Sequence, residues 1–244
     1  MNIKNILNIK KYPVYLKIIK KKIWTSNKKI SYSQCGEDLI IRYILNSLKI
    51  NKPIYVDIGA YHPTYLSNTY LFYKNGSRGI CIEPDPELFN KIKKKRRKDI
   101  CLNIGIGMEK EELSNYYVMS TKTLNTFSKE DAEYLEKTTS KKIKEIIKLP
   151  IVPINSIFVK HLDNKTPNFI SIDTEGYDLK ILKSIDFNSF RPEIFCIETI
   201  TYAEDNTEKK EVEILNFMKE KGYFVYADTY INTIFVDKEI WLNR

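Results

Sequence analysis

From Pro53 onward, short uninterrupted apolar runs alternate with longer amphipathic stretches. Pro53–Asp57 (PIYVD), Gly79–Glu83 (GICIE), Ile100–Ile104 (ICLNI), Asn168–Asp173 (NFISID) and Glu193–Glu198 (EIFCIE) predict strands. Their continuous apolarity is that of strands buried on both faces. Between and after them, Ser67–Lys74, Pro86 to about Lys95, Tyr177–Ile185 and about Thr207 to Lys221 predict helices. Strand–helix alternation of this kind predicts an α/β fold, an open parallel sheet with helices on both faces.

The end of the chain adds a specific feature. Tyr223–Ala227 and Thr233–Val236 predict two more strands, separated only by Asp228–Asn232. That connection is too short for a parallel crossover, so the pair should be an antiparallel hairpin. A mostly parallel seven-stranded sheet with one antiparallel strand is the Rossmann-like layout of class I S-adenosylmethionine methyltransferases, and dehydrogenases usually lack the reversed strand. Residues 105–167 interrupt the alternation with LSNYYVM, a polar helical stretch around Ser128–Ile147, and KLPIVPI. They read as a substrate-side insertion over the carboxyl edge of the sheet, where ligands bind in such folds.

Composition sharpens this only in places. The chain has 244 residues and no apolar run near the roughly 20 needed to cross a bilayer, so one soluble, cytoplasmic domain is expected. Cys35, Cys81, Cys101 and Cys196 form no C-x-x-C pair, which favours scattered buried thiols in a reduced compartment. With two histidines in the chain, no ligand set for a metal is evident. The net charge of +9 is local: residues 1–30 hold nine lysines and no acid, and the remainder is neutral. Residues 1–31 therefore read as a basic arm on a domain spanning 32–244. Tyr12, Tyr15, Leu16, Ile19 and Ile23 share a helical face there. A solvated helix or lysine-rich tail is the ordinary reading of the arm. Peripheral contact with an anionic membrane surface is the alternative. The run KIKKKRRK (Lys91–Lys98) is expected on an exposed helix.

The candidate chemistry sits at strand ends. VDIGAYHP (Val56–Pro63) places Asp57 and Gly59 just after the first strand, where a glycine lets backbone approach a ligand. One glycine does not make a pyrophosphate cradle, which needs three, so the turn suits a nucleoside cofactor without phosphates. Glu83 ends the next strand and is placed to accept hydrogen bonds from ribose hydroxyls. In SIDTEGYD (Ser171–Asp178), Asp173, Glu175 and Asp178 gather at the end of a later strand, and Glu198 ends the one after it. Asp178 and, in part, Glu175 also read as helix caps. Asp173 and His62 are the candidate bases.

YSQCGEDLI (Tyr32–Ile40), VDIGAYHP, LSNTYLFYKNG (Leu66–Gly76), GICIEPDP, LNIGIG, NTF (Asn125–Phe127), ISIDTEGYDLKIL and RPEIFCIE together resemble the FkbM family of S-adenosylmethionine-dependent methyltransferases. The resemblance covers residues 32–198 in order, and more weakly the closing strands. It implies O-methylation, commonly of a sugar hydroxyl in a surface polysaccharide, glycolipid or secondary metabolite. It places the cofactor site at Asp57, Gly59, Ala60 and Glu83, with Gln34 and Glu37 lining the pocket. Tyr61, Asp85, Asn103 and Asp173 complete the expected cofactor set, and Asn68, Thr69, Asn125 and Thr126 are expected on the acceptor side.

Methyl transfer from a sulfonium is an in-line displacement, so the residues must align a hydroxyl and take its proton. Asp173 or His62 is expected in that role, with Glu175 and Glu198 orienting hydroxyls. The acceptor expected is a small molecule, a sugar or nucleotide sugar, with no nucleic acid, because the domain outside the arm is neutral. Oligomeric state is left open, a homodimer among the options. An NAD-dependent nucleotide-sugar oxidoreductase is the rival enzyme. It lacks the Gly-x-Gly-x-x-Gly turn, and its Tyr-x-x-x-Lys spacing occurs only at Tyr70 and Lys74, directly after the first strand. A non-catalytic membrane- or nucleic-acid-binding module is the third reading, and the acids clustered at the strand ends argue against it.

Overall fold

The structure, a computed structural model, describes residues 28–108, 110–174, 176–200 and 208–244. The chain divides at Ile30/Ser31 into two units. Of the nine lysines of the basic arm, all but Lys28 and Lys29 fall on residues 1–27, outside the described ones. Among the described residues no helix is long and apolar enough to cross a membrane.

The second unit is built on β1 (Ile54–Ile58), β2 (Arg78–Ile82), β3 (Ile100–Leu102), β7 (Phe169–Ile172), β8 (Ile194–Glu198), β9 (Tyr223–Asp228) and β10 (Asn232–Asp237). They form one seven-stranded sheet in the order β3-β2-β1-β7-β8-β10-β9. The first five run parallel, and β10 is antiparallel to both neighbours. The fold class read from the sequence, including the reversed strand, is the one observed.

Period-two alternation feeds two cores. Val56, Ile80, Ile170, Ile172, Phe195 and Phe235 face one side, under helices α5 (Ile154–Leu162), α6 (Asp178–Ser184) and α7 (Val212–Glu220). Tyr55, Phe169, Ile194, Cys196 and Ile234 face the other. They are covered by Ile41, Ile44 and Leu45 of α1 (Glu37–Ser47) and Phe72 of α2 (Tyr70–Lys74). The inner strands, buried on both faces, therefore read as near-continuous apolar runs, whereas β3 and β9 at the edges are partly exposed. Helix α3 (Pro86–Lys95) follows β2 and is capped by Asp85, whose carboxylate accepts from the Glu87 and Leu88 amides.

A three-stranded sheet of β4 (Gly105–Gly107), β6 (Ile143–Pro153) and β5 (Glu112–Met119) stands beside the main one. Between β5 and β6 lie a 3-10 turn (Lys122–Leu124) and helix α4 (Lys129–Thr138). The helix expected to reach Ile147 stops at Thr138, because Ile143–Pro153 pairs along the length of β5. The next element, α5, buries Ile154, Ile157, Phe158 and Leu162 in the main core. That end of the 105–167 stretch belongs to the cover of the large sheet. A short α8 (Lys238–Leu242) closes the chain.

Candidate active site

The carboxyl ends of β1, β2, β7 and β8 and the small sheet enclose a cleft of about 760 Å³. Its wall includes Gly59, Tyr61, Glu83, Asp173 and Glu198 from the main sheet, and Tyr116, Asn125 and Thr126 from the smaller one. Gln34 and Asn68 also line it.

The turn after β1 is closed tightly on its neighbours. The Gly59 and Ala60 amides both donate to the Ile82 carbonyl, at 3.0 and 3.1 Å. Gly59 has φ +77, and a Cβ there would stand 1.8 Å from the Asp173 carbonyl oxygen. Only glycine fits, because the β7 end lies directly against the turn. Tyr61, Leu66 and Tyr230 also adopt left-handed φ values of 49, 55 and 75, and all three line the cleft. Three side-chain-bearing residues held in that region at one cavity mark a site where the backbone is shaped for a ligand.

Glu83 is the buried acid of the cleft. Its two carboxylate oxygens accept from the Tyr61 amide at 2.7 Å and the Asp85 amide at 2.8 Å. Burial pushes its pKa up to about 7, against the pull of those two amides. Asn103 donates from Nδ2 to the Glu83 and Pro84 carbonyls, at 2.9 and 2.6 Å, and so fixes the loop that carries the acid. Asn125 and Lys122 reach across from the small sheet to Asp85, at 3.1 and 3.4 Å, and Lys122 also pairs with Glu87 at 2.5 Å. Asp85 is therefore a helix cap and anchor behind the wall.

Asp173 projects into the cleft, open to its solvent yet deep beneath the outer surface. The surrounding protein raises its pKa, and a side-chain hydrogen bond with Glu198 opposes the rise. Water in the cleft screens part of that rise until ligands fill the space. Asp178 accepts from the Thr174 and Gly176 amides, and burial pushes it up to about 7. Glu175 lies outside the described residues.

Several expected site residues stand behind the wall. Asp57 points away from the cleft: its carboxylate accepts from Thr69 Oγ1 and lies 3.6 Å from Arg96. Thr69 belongs to the same buried network. Burial raises the Asp57 pKa, and Arg96 and Thr69 pull it back. Glu37 is fully buried and accepts from Thr229 Oγ1 at 2.7 Å and Asn232 Nδ2 at 3.3 Å. It thereby ties Gln34's segment to the cleft residue Asn232. Ala60 packs with Cys81 and Ile92. His62 does not line the cleft; its Nδ1 accepts from the Thr64 and Tyr65 amides at 3.2 and 2.9 Å. Burial, then Lys91, lowers its pKa.

Arg96 is the residue that sequence reasoning missed. It sits in the run expected to be exposed, yet it is wholly buried. Its guanidinium pairs with Asp99 at 2.8 Å and donates to Thr69 at 2.8 Å, with the Tyr55 and Tyr73 rings 5.3 and 5.4 Å away. Tyr70 and Lys74, the pair considered for nicotinamide chemistry, are not on the cleft wall, and Lys74 donates to Tyr32 at 2.6 Å.

The single-glycine turn packed on β7 and the buried acid at the end of β2 open on one cleft, on a sheet with one reversed strand. This is the arrangement of a Rossmann-like S-adenosylmethionine-dependent methyltransferase. The family model described as the methyltransferase FkbM domain matches residues 57–225, the greater part of the chain, and the protein belongs to that family. No relative is found among curated proteins. Similar solved structures include a methyltransferase from Geobacter sulfurreducens (8% identity, 92% of this chain and 87% of that one, TM-score 0.43). A TehB-like SAM-dependent methyltransferase from Corynebacterium glutamicum is similar at 10% identity, over 95% of this chain and 100% of that one, with TM-score 0.40. An O-methyltransferase from Bacillus cereus in complex with SAH is similar at 10% identity, over 90% and 88%, with TM-score 0.37.

Proposed function

We propose that the chain methylates a hydroxyl of a sugar or nucleotide sugar, with Asp173 taking the hydroxyl proton. The observation that carries this reading is the hydrogen-bonded carboxyl pair Asp173–Glu198 on the cleft wall, directly against the Gly59 turn. The donor, when bound, supplies a methyl group already activated on sulfur. The chain's own residues then have two tasks, to hold an oxygen in line and to move its proton.

A sugar hydroxyl is a poor nucleophile while protonated. A carboxylate whose pKa is raised is a stronger base than one in water, and so better matched to this transfer. Asp173 meets that condition, and Glu198 orients it through their shared hydrogen bond. His62 is the weaker candidate, because its Nδ1 lone pair already serves two backbone amides. Glu83 is the acceptor for the ribose hydroxyls, and Gly59 gives the amino-acid end of the donor access to the strand end. Asn68, Asn125 and Thr126 offer polar groups to the acceptor. Tyr61, Tyr177 and Tyr230 supply ring faces and hydroxyls of the kind that pack on a sugar.

The test is methyl transfer from labelled S-adenosylmethionine to a panel of nucleotide sugars, free sugars and tRNA. Label on a sugar oxygen is the expected result. Label on nucleic acid alone would overturn the acceptor class.

A further inference from the structure

Cys81 on β2 and Cys101 on β3 are direct register partners, so their side chains leave the same face of the sheet. Neighbouring strands lie about 4.8 Å apart, within the Cα separation of about 4.4–6.8 Å that a disulfide accepts. Both thiols face Asp99: Cys81 Sγ lies 3.7 Å from its Oδ2 and Cys101 Sγ 3.9 Å from its carbonyl oxygen. Their exposure is unequal: Cys81 is buried, whereas Cys101 is half-buried on the edge strand. Their acidities differ in the same sense. The hydrogen bond with Cys81 holds the Cys101 thiol down, and burial pushes Cys81 well up. An accessible, more acidic thiol beside a buried partner is the arrangement of an attacking and a resolving cysteine.

The position of the pair is also specific. Two residues further along each strand come Glu83 and Asn103, and Asn103 holds the Glu83 carbonyl at 2.9 Å.

We propose that Cys81 and Cys101 form a reversible disulfide on exposure to hydrogen peroxide, and that this bond weakens cofactor binding by moving β3 against the Glu83 loop. The Cys101 thiolate attacks one peroxide oxygen, the O–O bond breaks, and the departing oxygen takes a proton to leave as water. The Cys101 sulfur is now a sulfenic acid. The Cys81 sulfur attacks it, the S–S bond forms, the S–O bond breaks, and hydroxide leaves as water with the Cys81 proton. Two thiols are oxidised and one peroxide is reduced, two electrons each way. The effect on affinity rests on the cofactor reading given above, whereas the bridge does not.

The experiment uses the full-length chain, with and without hydrogen peroxide. Intact mass and peptide mapping are read alongside calorimetry with S-adenosylhomocysteine. The expected result is loss of two hydrogens, a linked Cys81–Cys101 peptide, and several-fold weaker binding that dithiothreitol restores. Cys81→Ser should leave a Cys101 sulfenic acid that dimedone traps, and Cys101→Ser should leave neither adduct nor bridge. Mapping of the unmutated chain decides the matter even where a variant fails to fold. Oxidation confined to the exposed Cys35, or a bridge with unchanged affinity, overturns the proposal. Absence of S-adenosylhomocysteine binding to the reduced chain would instead count against the cofactor site.

Discussion

Cofactor affinity should depend on pH through Glu83. Its carboxyl is buried, with a pKa raised from 4.5 to about 7 by loss of solvent. A ribose diol presents hydroxyl donors, which a carboxylate accepts and a neutral acid receives poorly. If only the ionised form binds, about one chain in ten is competent one pH unit below the pKa, so affinity at pH 6 should be about tenfold weaker than at pH 8. Calorimetry with S-adenosylhomocysteine from pH 5.5 to 8.5 reads this directly. Asp178 also titrates near 7, but its carboxylate caps the Thr174 and Gly176 amides away from the main cleft wall. Glu83→Gln separates the two: it should bind weakly at every pH and lose the slope. The stability effect has the opposite sign. Because the folded pKa is raised, the folded chain holds the Glu83 proton more tightly than the unfolded chain does. Glu83 therefore lowers stability progressively as pH rises from about 4.5 to 7, by on the order of 3 kcal/mol. The unliganded chain should melt lower at pH 8 than at pH 6, and less so in Glu83→Gln. A flat affinity profile in the wild type, or the same slope in the variant, would refute the reasoning.

Gly59→Ala places a methyl group 1.8 Å from a backbone oxygen at φ +77, and should destabilise the chain by about 3 kcal/mol or more in thermal melts. Gly36→Ala, at φ +93 with nothing within 4 Å of its Cβ, should cost only about 1 kcal/mol; equal costs would remove the close approach from the argument. Arg96→Met strands the buried carboxylates of Asp57 and Asp99. The loss should be about 3–5 kcal/mol, a fall in Tm of about 6–20 °C, and a melt unchanged by this substitution would show that the network is not supporting the turn. His62→Ala should keep most of the turnover, since its imidazole caps a turn outside the cleft; near-complete loss would move the base from Asp173 to His62.

Much of the sheet was legible because its inner strands are buried on both faces. Tyr55 and Val56 are neighbours in sequence and feed opposite cores, so the run shows no polar break. The reversed strand was readable from the brevity of the Asp228–Asn232 connection. Glu83, Asp173 and Glu198 were findable because a strand's carboxyl end faces the cleft in a parallel sheet. Asp57 shares that location but its side chain leaves the other face, toward Arg96, and the pleat alone does not say which face holds a partner. Arg96 itself was hidden in KIKKKRRK, where seven basic residues around Ile92 conceal the one cation that turns inward at the end of α3. The helix expected over 128–147 forms only as far as Thr138, because beyond it lysines and glutamates between isoleucines suit either element. The long partner β5 decided for strand. His62 looked like a base from its place after the turn, and only the geometry reveals the amides that occupy its Nδ1.

The most direct test of the account is the turnover of Asp173→Asn on an acceptor hydroxyl, with S-adenosylhomocysteine affinity measured on the same preparation. The substitution keeps the side chain's shape and removes its capacity to take a proton. The account predicts a fall in kcat of about 10²–10⁴-fold with cofactor affinity retained. Wild-type turnover in Asp173→Asn would contradict it.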